Sequence, residues 1–150
     1  MTLSVRTVEP SDAVPWETLF RAYITFYKAS VSDAVIATTW QRLVAGSDNM
    51  VGLVAVDADG GIIGLANLVF HRSTWSATWY CYLEDLYVNE SRRGGGVGRA
   101  LIAATYDAAD KRGATRTYWA TQSANSVARR LYDDVGELTD FVQYRRCEEQ

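Results

Sequence analysis

Cysteine and histidine are scarce in this chain. Its 150 residues hold only two cysteines, Cys81 and Cys147, and one histidine, His71. Two cysteines are too few for a disulfide framework, and no Cys/His cluster has the spacing of a metal site, so no metal is expected. The default for such cysteine usage is a cytoplasmic protein with reduced thiols. His71 has no partner motif and reads as a structural residue. Long apolar runs are missing too: none approaches the ~20 residues that span a bilayer. No basic segment followed by an apolar one opens the chain, so neither a signal peptide nor a membrane partner is expected. Repeats and low-complexity tracts are absent. Neither sign of charge dominates: 15 Lys and Arg stand against 18 Asp and Glu, a net charge of −3. That balance argues against wholesale electrostatic binding to nucleic acid and weakly favours a cationic substrate.

What is present describes a small folded domain. A hydrophobic fraction of 48% with 22% charged residues excludes a disordered chain. The length suits a single domain over residues 1–150 with a proper core. The most informative stretch runs from Tyr82 to Leu101. An apolar, aromatic strand empties into the basic glycine-rich turn Arg92-Arg93-Gly94-Gly95-Gly96-Val97-Gly98-Arg99, and an Ala- and Leu-rich helix starts at once. Consecutive glycines let backbone N–H groups approach a ligand closely. The helix start adds unsatisfied N–H groups and the positive end of its dipole, a combination suited to a phosphate or pyrophosphate. A P-loop is excluded, because no Lys-Ser/Thr pair follows the glycines. The dinucleotide fingerprint fails in register, its last position falling on Arg99 or Leu101.

The remaining elements follow from periodicity. Leu3 to Val8 alternates as a short strand, and Pro10-Ser11-Asp12 supplies a turn and a helix start. Trp16, Leu19, Phe20, Tyr23, Ile24 and Tyr27 recur at helical spacing, and a second helix is predicted from near Ser32 to Gly46. Met50 to Val56 and Ile62 to Phe70 form a hairpin about residues 57–61, and Thr78 to Val88 makes the next strand. A helix from Val97 to about Lys111 is stopped by Gly113. A strand from Thr115 to Thr121, a helix from Ala124 to Asp134 and a final strand from Phe141 to Arg145 complete an α/β chain. The order is β-α-α-β-β-β-α-β-α-β.

The loop satisfies the pattern Arg/Gln-x-x-Gly-x-Gly/Ala at Arg93, Gly96 and Gly98. Farther on, Asn125, Ala128, Leu131 and Tyr132 fit Asn-x-x-Ala-x-x-Leu-Tyr. With these motifs in order, the chain resembles the GNAT family of N-acetyltransferases. Leu83 to Val88 and the aromatic run Tyr23-x-x-Phe26-Tyr27 resemble its polyamine, diamine and histone-polyamine branch. The resemblance implies the GNAT fold, a mixed twisted sheet with helices on both faces, and acetyl-CoA as co-substrate. It implies transfer of the acetyl group to a primary amine of a small molecule (a polyamine, a diamine or an amino-acid-like compound), directly in a ternary complex. A protein lysine or N-terminus as acceptor, or a non-catalytic acyl-CoA sensor, are the alternatives. Many relatives form dimers, which leaves room for a homodimer here.

Residue roles come with the resemblance. Glu84 is expected as the base that frees the amine of its proton, with Asp85 as its rival. Strict alternation puts Glu84 with Tyr82 and Leu86 and Asp85 with Leu83 and Tyr87, but a bulge would shift that parity. Tyr132 is expected as the acid for the departing thiolate. Backbone groups around Leu86, Tyr87 and Val88 would pair with the pantetheine arm and support the developing oxyanion. Arg93, Gly94, Gly95, Gly96, Val97, Gly98 and Arg99 would take the pyrophosphate, with Arg92 or Arg99 as charge partner, and Asn125 would bond the pantetheine amide or the loop shaping it. Tyr27, Glu84, Asp85 and Trp119 are expected on the acceptor side, where aromatic faces suit a cation. Trp75 and Trp79 add further aromatic surface.

Overall fold

A computed structural model describes residues 2–148, in two compact units, 2–120 and 121–148. The first contains β1 (Ser4–Thr7), α1 (Ala13–Phe26), α2 (Asp33–Ala45), β2 (Met50–Val56), β3 (Ile62–Ser73), β4 (Ser76–Val88), α3 (Val97–Arg112) and β5 (Ala114–Tyr118). Short 3-10 turns precede α1 at Pro10–Asp12 and α3 at Glu90–Arg92. The second unit contains α4 (Ser126–Val135).

The five strands lie in sequence order. β1 to β4 run antiparallel to their neighbours, and β5 joins β4 in parallel through α3. The start of α1 is fixed by charge. Asp12 is buried, and its carboxylate accepts from Arg6 Nη1 at 2.7 Å, Arg6 Nη2 at 3.0 Å and the Glu9 amide at 2.8 Å. The Arg6 guanidinium holds this carboxyl below its ordinary range. α2 starts where Ser32 Oγ accepts from the Val35 amide at 3.2 Å.

Apolar residues at helical spacing on α1 and α2 cover one sheet face. Trp16, Leu19, Phe20, Ile36 and Leu43 pack there with Val8, Val54 and Leu65. α3 covers the other face and lies close to it at Gly64. A Cβ at Gly64 would stand 3.1 Å from Leu101 Cδ1, Val97 Cγ1 and the Tyr87 carbonyl oxygen. The missing side chain of Gly64 therefore lets the N-terminal turn of α3 settle on β3. The bare Gly64 also keeps that helix start beside the end of β4.

Two sequence expectations need correction. Phe141 to Arg145 forms no strand, because its N–H and C=O groups find no neighbouring strand among the described residues. Phe141, Val142 and Tyr144 are 87%, 79% and 93% exposed. β5 ends at Tyr118 rather than Thr121, at the point where its pairing with β4 stops.

Candidate active site

The centre of the site is a bulge in β4. Across β3, Leu68 pairs with Leu83 but Asn67 pairs with Asp85, so Glu84 is the extra residue. The insertion reverses the parity that strict alternation gives. Leu83 stays on the α3 face with Leu68, whereas Asp85 crosses to the α1/α2 face with Asn67. Tyr82 pairs with Val69 and Tyr87 with Leu65 on that same face, and Leu86 goes to the other with Ala66. Asp85 thus joins Tyr82 and Tyr87.

Asp85 sits in a polar chain that runs through the core. Its Oδ2 accepts from Asn67 Nδ2 at 3.0 Å, and Asn67 Oδ1 accepts from Trp16 Nε1 at 3.3 Å. The Tyr23 hydroxyl stands beside the same carboxylate and favours its charged form. The carboxylate lies deep among these neighbours although the residue keeps a partial opening to solvent. Burial pushes its pKa up to about 6; the charge of Glu84 adds to the rise, and the hydrogen bond from Asn67 and the Tyr23 hydroxyl oppose it. Burial first, and then the Asp85 charge, raise the Tyr23 pKa, so the hydroxyl keeps its proton. Glu84 itself is exposed. The sequence offers Tyr23 only as one aromatic face among several and assigns no role to Asn67, although Asn67 is the one polar residue in the run from Ile62 to Phe70.

Beside the carboxylates stands an aromatic wall. Tyr82 and Tyr118 have ring centroids 4.7 Å apart, and Tyr80 lies 6.2 Å from Tyr118. His71 Nε2 lies 2.6 Å from the Tyr118 hydroxyl, and His71 Nδ1 lies 2.8 Å from the Arg72 carbonyl. A carbonyl only accepts, so Nδ1 donates to Arg72 while Nε2 shares a hydrogen bond with the Tyr118 hydroxyl. His71 therefore fixes the wall, a role for which the sequence carries no local signal. Tyr27 packs on Tyr23 at 5.0 Å and borders the same face. Trp119 does not: it packs 6.2 Å from Tyr106 of α3, on the opposite face. Trp79 already carries the Arg72 guanidinium at 3.7 Å, and Trp75 is an exposed residue at the hairpin tip.

Next to this face the sheet opens. β4 pairs with β5 only as far as Tyr82 and Tyr118, and beyond that point Leu83 and residues 85–88 pair with β3 alone. The edge of Leu86, Tyr87 and Val88 facing away from β3 has no strand neighbour among the described residues. The glycine loop follows directly. Gly94 and Gly96 take φ of +84° and +81°, conformations that side chains disfavour. A Cβ on Gly94 or Gly96 would meet nothing within 4 Å, and one on Gly95 only the Arg92 carbonyl at 3.7 Å, so this face of the loop is open. Gly96 leads into α3, whose first N–H groups belong to Val97, Gly98 and Arg99. The buried Val97 side chain anchors that turn, and Arg99 is exposed. Arg93 bonds the Val88 carbonyl at 3.2 Å and lies over the rings of Tyr87 and Phe26. Arg92 is engaged by Asp57 at 2.8 Å. An open loop of backbone donors at a helix start, beside an unpaired strand edge, fits a pyrophosphate carrying an extended amide arm.

In the second unit, Asn125 caps α4 by accepting from the Ala128 amide at 3.3 Å, which accounts for the Asn-x-x-Ala spacing. Tyr132 lies within the same helix.

The chain matches the acetyltransferase (GNAT) family over residues 16–136. It is 36% identical over 143 residues to the D-amino-acid N-acetyltransferase HPA3 of Saccharomyces cerevisiae, covering 95% of this chain and 89% of that protein. It is 32% identical over 144 residues to the uncharacterised N-acetyltransferase YhfO of Bacillus subtilis, covering 95% of each. Among solved structures it superposes on AAC(6')-Iy, determined with the bisubstrate analogue CoA-S-monomethyl-acetylneamine, with a TM-score of 0.84 at 20% identity over 99% of both chains. Motifs, sheet and family match agree, and the chain belongs to the acetyltransferase (GNAT) family of N-acetyltransferases.

Proposed function

We propose that this protein moves an acetyl group from acetyl-CoA to the primary amine of a small molecule, directly in a ternary complex. One observation carries the proposal: the β4 bulge at Glu84 turns Asp85 onto a tyrosine-lined face, beside the open strand edge and just ahead of the glycine loop. Two carboxylates against aromatic faces suit an ammonium group.

Asp85 takes the proton from the ammonium, directly or through water, so that the nitrogen lone pair can attack the thioester carbonyl carbon. Exposed Glu84 draws the cation in. This assignment moves the base from Glu84, where the sequence puts it, to the more buried carboxylate. Backbone N–H groups of Leu86, Tyr87 and Val88 hold the donor's amide arm and support the carbonyl oxygen as it gains charge. As the C–N bond forms and the C–S bond breaks, Tyr132 gives its hydroxyl proton to the departing sulfur, a role that rests on the Asn-x-x-Ala-x-x-Leu-Tyr motif. Arg93 to Arg99 receive the pyrophosphate, and Asn125 contributes to the same ligand by its motif. The similarity to the yeast enzyme supports an amino-acid-like acceptor ahead of a diamine or polyamine.

We further read residues 1–150 as a single working domain located in the cytoplasm. The exposed apolar residues Leu138, Phe141, Val142 and Tyr144 support a homodimer that covers them. No helix among the described residues is long and apolar enough to cross a membrane.

The test is release of free CoA from acetyl-CoA against D- and L-amino acids, diamines, polyamines and lysine peptides. Turnover with a small amine supports the proposal and names the acceptor. Turnover confined to peptides makes a protein the substrate. Acetyl-CoA binding with no turnover on any amine overturns catalysis in favour of a sensor.

A further inference from the structure

One tie between the loop that faces the donor and a distant part of the chain is an ion pair at its base. Arg92 ends the 3-10 turn immediately before Arg93 and the glycines, and its Nη1 lies 2.8 Å from Asp57 Oδ2. Asp57 is the first residue of the β2–β3 hairpin turn, and its two oxygens divide their work. Oδ1 accepts from the amides of Asp59 at 3.0 Å and Gly61 at 2.8 Å, closing the hairpin turn. Oδ2 is turned to Arg92. The Asp57 side chain is only 10% exposed and that of Arg92 32%. The Arg92 hydrogen bond comes first among the causes that hold the Asp57 carboxyl below its ordinary range. On its own side, the 3-10 turn is capped by Asn89, whose Oδ1 accepts from the Ser91 amide at 3.1 Å.

We infer that Asp57 is a positioning residue for the donor loop, holding Arg92 so that the backbone N–H groups of Gly94 to Gly98 meet the pyrophosphate in register. The inference rests on the acetyl-CoA reading above. The sequence expectation offered Arg92 as a charge partner of the phosphate; in this arrangement its work is to anchor the loop to β2–β3, and the phosphate is left to the loop backbone. Because the anchor acts only where the pyrophosphate lies, its loss should be felt by donors that carry a pyrophosphate and not by those that lack one.

Asp57→Asn separates the two functions of the side chain, since the retained Oδ1 still closes the hairpin turn while the amide nitrogen cannot accept from Arg92. Calorimetry of wild type with CoA comes first: no binding there would overturn the acetyl-CoA reading itself rather than the anchor. With binding established, Asp57→Asn should raise both the CoA Kd and the acetyl-CoA KM about fivefold, as loosening a positioned anchor does. Saturated kcat and the acceptor KM should be unchanged, and kcat/KM with S-acetylpantetheine, which has no pyrophosphate, should stay at the wild-type value. Arg92→Gln, which leaves the hairpin turn untouched, should give the same pattern, and the double variant should be no worse than either single one. Unchanged CoA affinity in Asp57→Asn would overturn the inference, as would tighter binding, which would mean that Asp57 withholds Arg92 from the phosphate. An equal loss with S-acetylpantetheine would reduce the pair to general structural support.

Discussion

Asn67 donates to Asp85 at 3.0 Å across the β3–β4 ladder while its carbonyl oxygen takes the Trp16 indole N–H at 3.3 Å. One amide thus satisfies a core donor and orients the carboxylate that the proposed chemistry depends on. Only the bulge at Glu84 puts Asn67 and Asp85 opposite each other.

With an Asp85 pKa of about 6, kcat/KM should rise with pH along a limb centred there. Asp85→Asn should lose that limb and fall in kcat by about 10² or more. A wild-type profile with no inflection near this pH would remove Asp85 as the base.

The same shift has a stability consequence of definite sign. Burial raises the folded-state value above the ordinary 3.8, so between roughly pH 4 and pH 6 the folded protein holds a proton that the unfolded chain has released. Stability contributed by this group therefore falls as pH rises through that window. Asp85→Asn should gain on wild type in melting temperature between pH 4 and pH 7, measured by thermal unfolding at each pH.

Asn67→Leu removes a hydrogen bond that favours the charged form of Asp85 and leaves the Trp16 N–H without its acceptor. The activity limb should move to higher pH, and unfolding in urea should show a loss of about 1–3 kcal/mol. A limb that does not move would mean that Asn67 serves packing alone.

Gly64→Ala places a methyl 3.1 Å from two α3 side chains and a carbonyl oxygen. The variant should lose about 1–3 kcal/mol by overpacking and, by lifting the start of α3, weaken CoA binding in calorimetry. Destabilisation with normal CoA affinity would separate the packing of the helix from the loop it carries.

Tyr132→Phe should lower kcat roughly 10- to 10⁴-fold while acetyl-CoA still binds. Unchanged turnover would strike Tyr132 from the mechanism.

Local patterns carried much of this protein's architecture. The helical recurrence from Trp16 to Tyr27, the Ser32 and Gly46 caps, the turn at 57–61 and the glycine run each depend on a few neighbouring residues, and each appears in the structure close to where periodicity puts it. The loop motif was legible for the same reason: a helix start preceded by glycines is a local object. What the sequence left undecided was set by pairing between distant strands. The side of the sheet taken by Asp85 depends on a single inserted residue in the register with β3, and the apolar pattern of β4 tolerates either register. The partnership of His71 with Tyr118 and that of Asp57 with Arg92 join residues 47 and 35 positions apart, beyond any local spacing rule. The strand expected at Phe141 to Arg145 failed for the complementary reason. A strand's backbone groups must be satisfied by a neighbour, and β propensity in the segment itself cannot supply one.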